Sequence, residues 1–170
     1  NTLLVTSVVD SRDGALVAAN LAWSLAQAGR RVVVIDLDVR RSGVGDAFDL
    51  RAGRGLIDLL TDRVALSEVM REVLPNLNVL LAGRTTTAST ELVSSYGMTH
   101  LLADVTRDYD HVILHAAPPT YSHVVQVAET AGATLLCVPM GQAREHDLTR
   151  ALVALDSVGV TPVGLILTRA

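Results

Sequence analysis

Apolar residues along this chain follow two patterns: short continuous runs rich in Val, Leu and Ile, and longer segments where they recur at helical spacing. The short runs predict six strands, over residues 3–9, 30–38, 76–83, 110–119, 133–140 and 163–169. The longer segments predict helices over residues 14–28, 55–62, 65–74, 99–107, 124–131 and 145–158. Because strands alternate with helices throughout, we expect an α/β fold in one domain over residues 1–170. The sheet should be doubly wound and mainly parallel, with helices on both faces.

The first strand, the loop after it and the first helix have the layout in which P-loop proteins hold a nucleotide phosphate at a helix N-terminus. A working loop reads GxxxxGK[ST]: the glycines let the backbone wrap the phosphates, the lysine contacts them, and the hydroxyl binds Mg²⁺. Here the loop carries Asp10, Ser11, Arg12 and Asp13 before Gly14. The chain contains no lysine, since all 14 of its basic residues are arginine. The layout of a nucleotide-binding loop is therefore present without its phosphate-binding side chains.

Composition and charge exclude several other classes of protein. A net charge of −4 leaves no basic surplus for nucleic acid. No apolar run approaches the ~20 residues of a membrane-spanning helix. Cys137 is the single cysteine, so no disulfide forms within the chain, and a cytoplasmic setting fits. His111 and His115 lie on one strand face about 13 Å apart, too far to share a metal, and we expect no metal site.

Polar residues collect where the predicted strands end, which is where open parallel sheets have their functional crevice. The stretches at this edge are residues 9–13, 36–41, 83–87, 115–120, 139–142 and 168. Asp36 and Asp38 alternate along one strand end and so share a face. They would either position Mg²⁺ or water, or accept hydrogen bonds from loop N–H groups or an arginine. The basic loop that follows is either an anion or partner site or a solvated face; its arginines are Arg40, Arg41, Arg51 and Arg54.

An ordered series of segments resembles one family. The segments are TSVVDSRDGALVAANLAWSLAQAGRRVVVIDLDVRR, GLIDLL, NLNVLLAG, STELVSSYGMTHLL, YDHVILHAAPP and VGLILTR. In this order they resemble the cytoplasmic domain of bacterial tyrosine kinases, which accompany capsule and exopolysaccharide export. That family belongs to the MinD/ParA-like branch of P-loop ATPases, so the resemblance implies a P-loop NTPase-like fold. It also implies protein partners in a polysaccharide export or co-polymerase system, and a homo-oligomer or pairing with an active kinase. The expected location is the inner face of the cell membrane, through a segment or partner outside this chain.

Within this resemblance, the chain departs from the family at the positions that carry chemistry. Family members read TSAxPGEGKST, LLIDADLRRP, VIIDTPP and VLN at the corresponding places. The family's Pro, Gly, Glu, Gly, Lys, Ser and Thr align with Asp10, Ser11, Arg12, Asp13, Gly14, Ala15 and Leu16. The lysine position is thus Gly14, and the Mg²⁺-binding hydroxyl position is Ala15. His115 stands at the family's strand-end aspartate, and Thr168 at its base-contacting asparagine. The second acidic motif keeps the family pattern at Asp36, Asp38, Arg40 and Arg41.

The resemblance and these departures together imply a catalytically inactive kinase-like domain that regulates or scaffolds exopolysaccharide or capsule synthesis and export. We expect no catalytic residue and neither ATP nor Mg²⁺ as a cofactor. Two alternatives stay open. In the first, the chain is an atypical nucleotide-binding tyrosine autokinase that uses Arg12 with Asp36 and Asp38. In the second, it is a MinD-like pseudo-ATPase that positions a secretion or division machine by dimerising.

Overall fold

Strands and helices alternate along the chain as the hydrophobic pattern predicts. The computed structural model describes residues 2–41, 43–61, 64–84, 89–93 and 95–169. The strands in these ranges are β1 (Thr2–Ser7), β2 (Val32–Asp36), β3 (Met70–Leu74), β4 (Leu77–Leu80), β5 (His111–His115), β6 (Ala133–Pro139) and β7 (Gly164–Thr168). The helices are α1 (Asp13–Gln27), α2 (Gly43–Ala47), α3 (Leu56–Thr61), α4 (Leu66–Val69), α5 (Ser89–Val93), α6 (Tyr96–Asp108), α7 (Ser122–Thr130) and α8 (Glu145–Asp156). None of these helices is long and apolar enough to cross a membrane.

The strands form one sheet in the order β3-β4-β2-β5-β1-β6-β7. All neighbouring strands pair in parallel except β3, which pairs antiparallel with β4 at one edge. The doubly wound, mainly parallel sheet predicted from the sequence is therefore confirmed. Because β5 lies between β1 and β2, the loops that follow these three strands meet at the carboxyl edge of the sheet.

The helix predicted over residues 65–74 is wrong in its second half. Only Leu66–Val69 is helical, and Met70–Leu74 forms strand β3. Pro75 and Asn76 connect β3 to β4, and Asn76 has a φ of 71°. Proline followed by a residue with positive φ is the pattern of a type II turn. This tight turn folds residues 70–74 back along β4, and the hairpin pairing overrides their helical spacing.

Two hydrophobic layers cover the two faces of the sheet. Consecutive strand residues point to opposite faces, so Leu4 packs in one layer and Val5 in the other. The Val5 layer is closed by α1, whose fully buried residues in this layer are alanines. These are Ala15, Ala18, Ala22 and Ala26. Burial on both faces explains why the central strands are continuous apolar runs rather than alternating ones.

A buried carboxylate joins α3 to the end of β4. Asp58 is only 2% exposed and accepts hydrogen bonds from Gly55 N at 2.9 Å, Arg84 N at 3.2 Å and Arg84 Nε at 2.8 Å. Burial by itself would raise the pKa of Asp58. The hydrogen bonds from Gly55 and Arg84 outweigh burial and hold this pKa below its usual range.

We expect Asp58→Asn to destabilise the fold by about 1.5–3 kcal/mol at neutral pH, since it removes charge-assisted hydrogen bonds. The pKa of Asp58 is lower in the folded than in the unfolded state, so its contribution is present above the unfolded value of about 3.9. That contribution is lost as the pH falls through the lower, folded-state pKa. Urea unfolding of wild type and variant between pH 7 and pH 2.5 should show the two stabilities converging in acid. Asp104→Asn, at an exposed site, serves as the control. A difference that is constant with pH would contradict this account.

Gly83 is expected to tolerate no side chain. It has a φ of +87°, and a Cβ there would lie 2.6 Å from Asp58 Oδ2 and 2.7 Å from Gly55 N. Gly159 has a similar φ of +73° but no atom within 4 Å of the Cβ position. Gly159→Ala therefore measures the backbone strain alone, about 1–2 kcal/mol. We expect Gly83→Ala to cost at least about 1 kcal/mol more in urea unfolding. Equal losses would show that the contact between α3 and the end of β4 is loose.

Candidate functional site

The candidate site is the carboxyl edge of the sheet, where the structure brings the predicted site residues together. Residues 8–12 connect β1 to α1, residues 37–41 follow β2, and residues 116–121 follow β5. Thr168 ends β7 on the other side of β1. Of the stretch 83–87 predicted at this edge, residues 85–87 lie outside the described residues.

The segment aligned with the phosphate loop leads directly into α1. Arg12 occupies the N-cap position, and its side chain caps no backbone N–H. Ser11 Oγ accepts a hydrogen bond from Asp13 N at 3.3 Å. Gly14 and Ala15 are buried in the first turn, whereas Leu16 is 48% exposed. The segment therefore keeps the strand, loop and helix geometry of a P-loop, with one exposed apolar side chain beside it.

The space beside Gly14, the aligned lysine position, is filled by two side chains from neighbouring strands. A Cβ at Gly14 would lie 2.9 Å from Ser7 Oγ and 3.4 Å from His115 Nε2. Ser7 ends β1 and His115 ends β5, the strand next to it. A side chain at position 14 would thus require Ser7 Oγ to shift and would lie in contact with the His115 ring.

His115 is also hydrogen-bonded to the acidic residue at the end of β2. Its Nδ1 lies 3.0 Å from Asp36 Oδ1, and both side chains are buried. Asp36 is a carboxylate acceptor here, which assigns the Nδ1 proton to His115. Burial raises the pKa of Asp36, only partly offset by the hydrogen bond from His115 and the one from Asp38 N. Asp36 Oδ2 has no hydrogen-bond partner among the described residues.

Arg40, in the loop after β2, contacts side chains from the loops after β1 and β5. Its guanidinium contacts Asp10 Oδ1 and Tyr121 Oη, both at 2.5 Å, and its Nε lies 3.6 Å from Asp38 Oδ1. Tyr121 Oη donates to Asp10 Oδ2 at 3.2 Å, and the Tyr121 ring lies 4.1 Å from the guanidinium carbon. Tyr121 lies one residue beyond the predicted stretch 115–120, so the sequence did not indicate its place in this network.

The remaining predicted residues lie on the α1 side of the edge. The Thr168 hydroxyl donates a hydrogen bond to Asp13 Oδ2. Arg12 forms an exposed salt bridge with Asp46 at 3.0 Å. Arg41 forms no salt bridge with any described residue, which agrees with the possibility of an anion or partner site. Cys137 lies in β6 and is buried. Burial, and to a smaller extent the charge of Asp13, raises the pKa of the Cys137 thiol to about 12. Little of the reactive thiolate therefore forms at neutral pH.

Between α1 and the end of β7 lies a cleft of about 640 Å³. Its lining combines predicted and unpredicted residues: Asp10, Ser11, Arg12, Asp13, Leu16, Val17, Asn20, Arg41, Gln142, Thr168 and Arg169. The predicted strand ends indicated Gln142, but no sequence signal indicated Val17, Asn20 or Arg169. Over the described ranges, no group of three or more His, Cys, Asp or Glu side chains is arranged to hold a metal ion.

The architecture has known counterparts. The kinase domain of the Escherichia coli tyrosine kinase ETK superimposes with a TM-score of 0.92 and 26% sequence identity, covering 100% of this chain and 68% of that one. MinD in the MinC:MinD cell division complex of Aquifex aeolicus gives a TM-score of 0.81 at 18% identity, covering 100% of this chain and 70% of that one. These likenesses confirm the P-loop NTPase fold of the MinD/ParA branch.

Sequence comparison agrees with the structural likeness. The tyrosine-protein kinase ptk of Acinetobacter johnsonii is 28% identical over 169 residues. That match covers 98% of this chain but 23% of the Acinetobacter protein, so the chain spans about a quarter of that relative. The resemblance to bacterial tyrosine kinases predicted from the sequence is confirmed. A family described as an AAA domain matches residues 15–147. Since this match spans most of the chain, the protein belongs to the AAA domain family, with bacterial tyrosine kinases among its relatives.

Proposed function

We propose that this domain is a catalytically inactive member of the tyrosine-kinase group that acts by binding other proteins. The observation that carries the proposal is the absence of the phosphate-binding lysine. The aligned lysine position is Gly14, which has no side chain, and its neighbours there are Ser7 and the buried His115. Since the chain contains no lysine, no other part of it can supply this group.

The remaining residues of the loop do not fit Mg²⁺ with ATP. Ala15 has no hydroxyl for the metal, and Asp13 places a carboxylate in the first turn of α1, where a phosphate would approach. The described structure gives Asp13 a hydroxyl partner, Thr168, and no salt bridge, so its charge is not neutralised there. Asp10 carries a second charge, balanced by Arg40.

The loss of these groups, together with the added carboxylates, costs enough free energy to abolish nucleotide binding. Each lost charge-assisted hydrogen bond costs about 1.5–3 kcal/mol. A carboxylate about 4 Å from a phosphate adds up to about 4 kcal/mol of repulsion per charge pair at an effective dielectric constant of 20. Micromolar affinity corresponds to only about 8 kcal/mol. Phosphoryl transfer depends on positioning and charge neutralisation, which this loop supplies poorly.

The family resemblance supports a proposal for the biological setting. We propose that the domain helps to assemble or control a capsule or exopolysaccharide export system, at the inner face of the cell membrane. Its partners would be proteins of that system, a second copy of this chain or an active kinase. Attachment to the membrane would come from a segment or partner outside these residues.

Isothermal titration of ATP into the purified domain tests the proposal. With or without Mg²⁺, we expect no saturable heat at millimolar nucleotide, and no phosphotyrosine by mass spectrometry after incubation with ATP. Saturable micromolar binding or autophosphorylation would overturn the proposal. If Arg12→Ala then abolished that binding, the alternative with a rearranged nucleotide site would be favoured.

Restoring the aligned kinase residues provides the matched control. Gly14→Lys alone should not restore binding, because Ala15 still lacks the hydroxyl and Asp13 still places a carboxylate where a phosphate would approach. The variant Asp13→Gly/Gly14→Lys/Ala15→Ser/His115→Asp removes the repulsive carboxylate and the imidazole beside position 14, and returns the cation, the hydroxyl and the acid. We expect it to bind ATP with Mg²⁺ at least tenfold more tightly than wild type. If the folded variant, checked by circular dichroism, failed to bind, these positions would not be the cause of the loss.

A further inference from the structure

The cleft between α1 and the end of β7 carries positive charge that the described side chains leave unbalanced. Of its two carboxylates, Asp10 is balanced by Arg40, whereas Asp13 accepts only from the neutral Thr168 hydroxyl and keeps its charge. Of the arginines that line it, Arg12 pairs with Asp46, whereas Arg41 and Arg169 form no salt bridge with any described residue. Arg41 and Arg169 are both exposed. They are therefore available to a negatively charged ligand.

The two unpaired arginines approach the cleft from distant strands. Arg41 follows β2 and Arg169 follows β7, and β5, β1 and β6 lie between these strands. At a spacing of about 4.8 Å per strand, the axes of β2 and β7 are roughly 19 Å apart. The two arginines thus enter the cleft from opposite sides of β1, an arrangement that suits an extended ligand with separated negative charges.

The wall between these cations is partly apolar. Leu16, on the first turns of α1, is 48% exposed, and the half-buried Val17 lines the cleft beside it. A volume of about 640 Å³ lies within the range of ligand-binding clefts. Asp13 also lines this wall and would repel a polyphosphate, whose charges lie next to one another. Separate carboxylates on an extended chain can reach the flanking arginines and leave Asp13 uncontacted.

We propose that this cleft binds an acidic, partly apolar segment of a partner protein. Carboxylates of the segment pair with Arg41 and Arg169, and an apolar side chain between them packs on Leu16. This inference rests on the proposed function, because a domain that held ATP here would have no room for such a segment. It adds the chemistry of the partner and the face that binds it.

Fluorescence anisotropy with a labelled twelve-residue peptide of alternating glutamate and leucine tests the inference. We expect saturable binding below millimolar concentration, and none to the peptide in which glutamine replaces glutamate. Arg41→Glu and Arg169→Glu should each weaken binding at least tenfold. Leu16→Ser, measured at the same salt concentration as wild type, should also weaken binding, because it removes the apolar contact. Arg30→Glu is the matched control, because it changes the net charge equally but lies at the opposite edge of the sheet, before β2. It should change the affinity less than twofold.

Absence of peptide binding, or equal losses in Arg30→Glu and the two cleft variants, would overturn the inference. Inorganic pyrophosphate is titrated in parallel. If pyrophosphate bound in an Arg41-dependent way and the peptide did not, the cleft would be a small-anion site, and the inference would also fall. The ATP titration separates the two proposals: if neither ATP nor peptide binds, the proposed function stands and only this inference fails. Saturable ATP binding would overturn the proposed function first.

Discussion

The position of β5 between β1 and β2 determines what can lie beside the loop before α1. In this register Asp36 and Val5 are the β2 and β1 partners of His115. The imidazole is consequently placed to contact both the acidic end of β2 and the first turn of α1. Gly14 and His115 are neighbours, since a Cβ at position 14 would lie 3.4 Å from His115 Nε2. Two positions that are far apart in sequence thus lie side by side at the edge of the sheet.

Part of the charge at this edge is balanced within the protein. An arginine, a tyrosine hydroxyl and a carboxylate from three different loops bind one another through Arg40, Tyr121 and Asp10. The Arg40 side chain is about one-third exposed, so solvent weakens the ion pair. The cation–π contact and the shared hydrogen bonds still hold the three loops in one arrangement. An edge held in this way has less freedom to rearrange, which suits the proposed role in binding a protein better than wrapping a phosphate.

Most of the sheet could be predicted because its central strands are buried on both faces, and such strands appear in the sequence as continuous apolar runs. Strand β3 was missed because it lies at the edge and its pairing depends on the turn at Pro75 and Asn76. The loops at the site were placed correctly, since all parallel strands end at the same edge. The contacts between their side chains were not predicted. Asp10 and Tyr121 are 111 residues apart, and no local pattern indicates which way either side chain points.

Retention of the acidic motif after β2 has an explanation that requires no metal. Asp36 Oδ1 accepts hydrogen bonds from Asp38 N at 3.1 Å and from His115. Asp38 Oδ1 in turn accepts from Arg40 N at 3.1 Å. These successive side-chain to backbone bonds fix the loop that carries Arg40 and place its guanidinium against Asp10. The buried charge of Asp36 is costly, as its raised pKa indicates, yet its loss would leave Asp38 N and His115 Nδ1 without an acceptor. The two aspartates therefore have a structural role in the loop that does not depend on a metal ion.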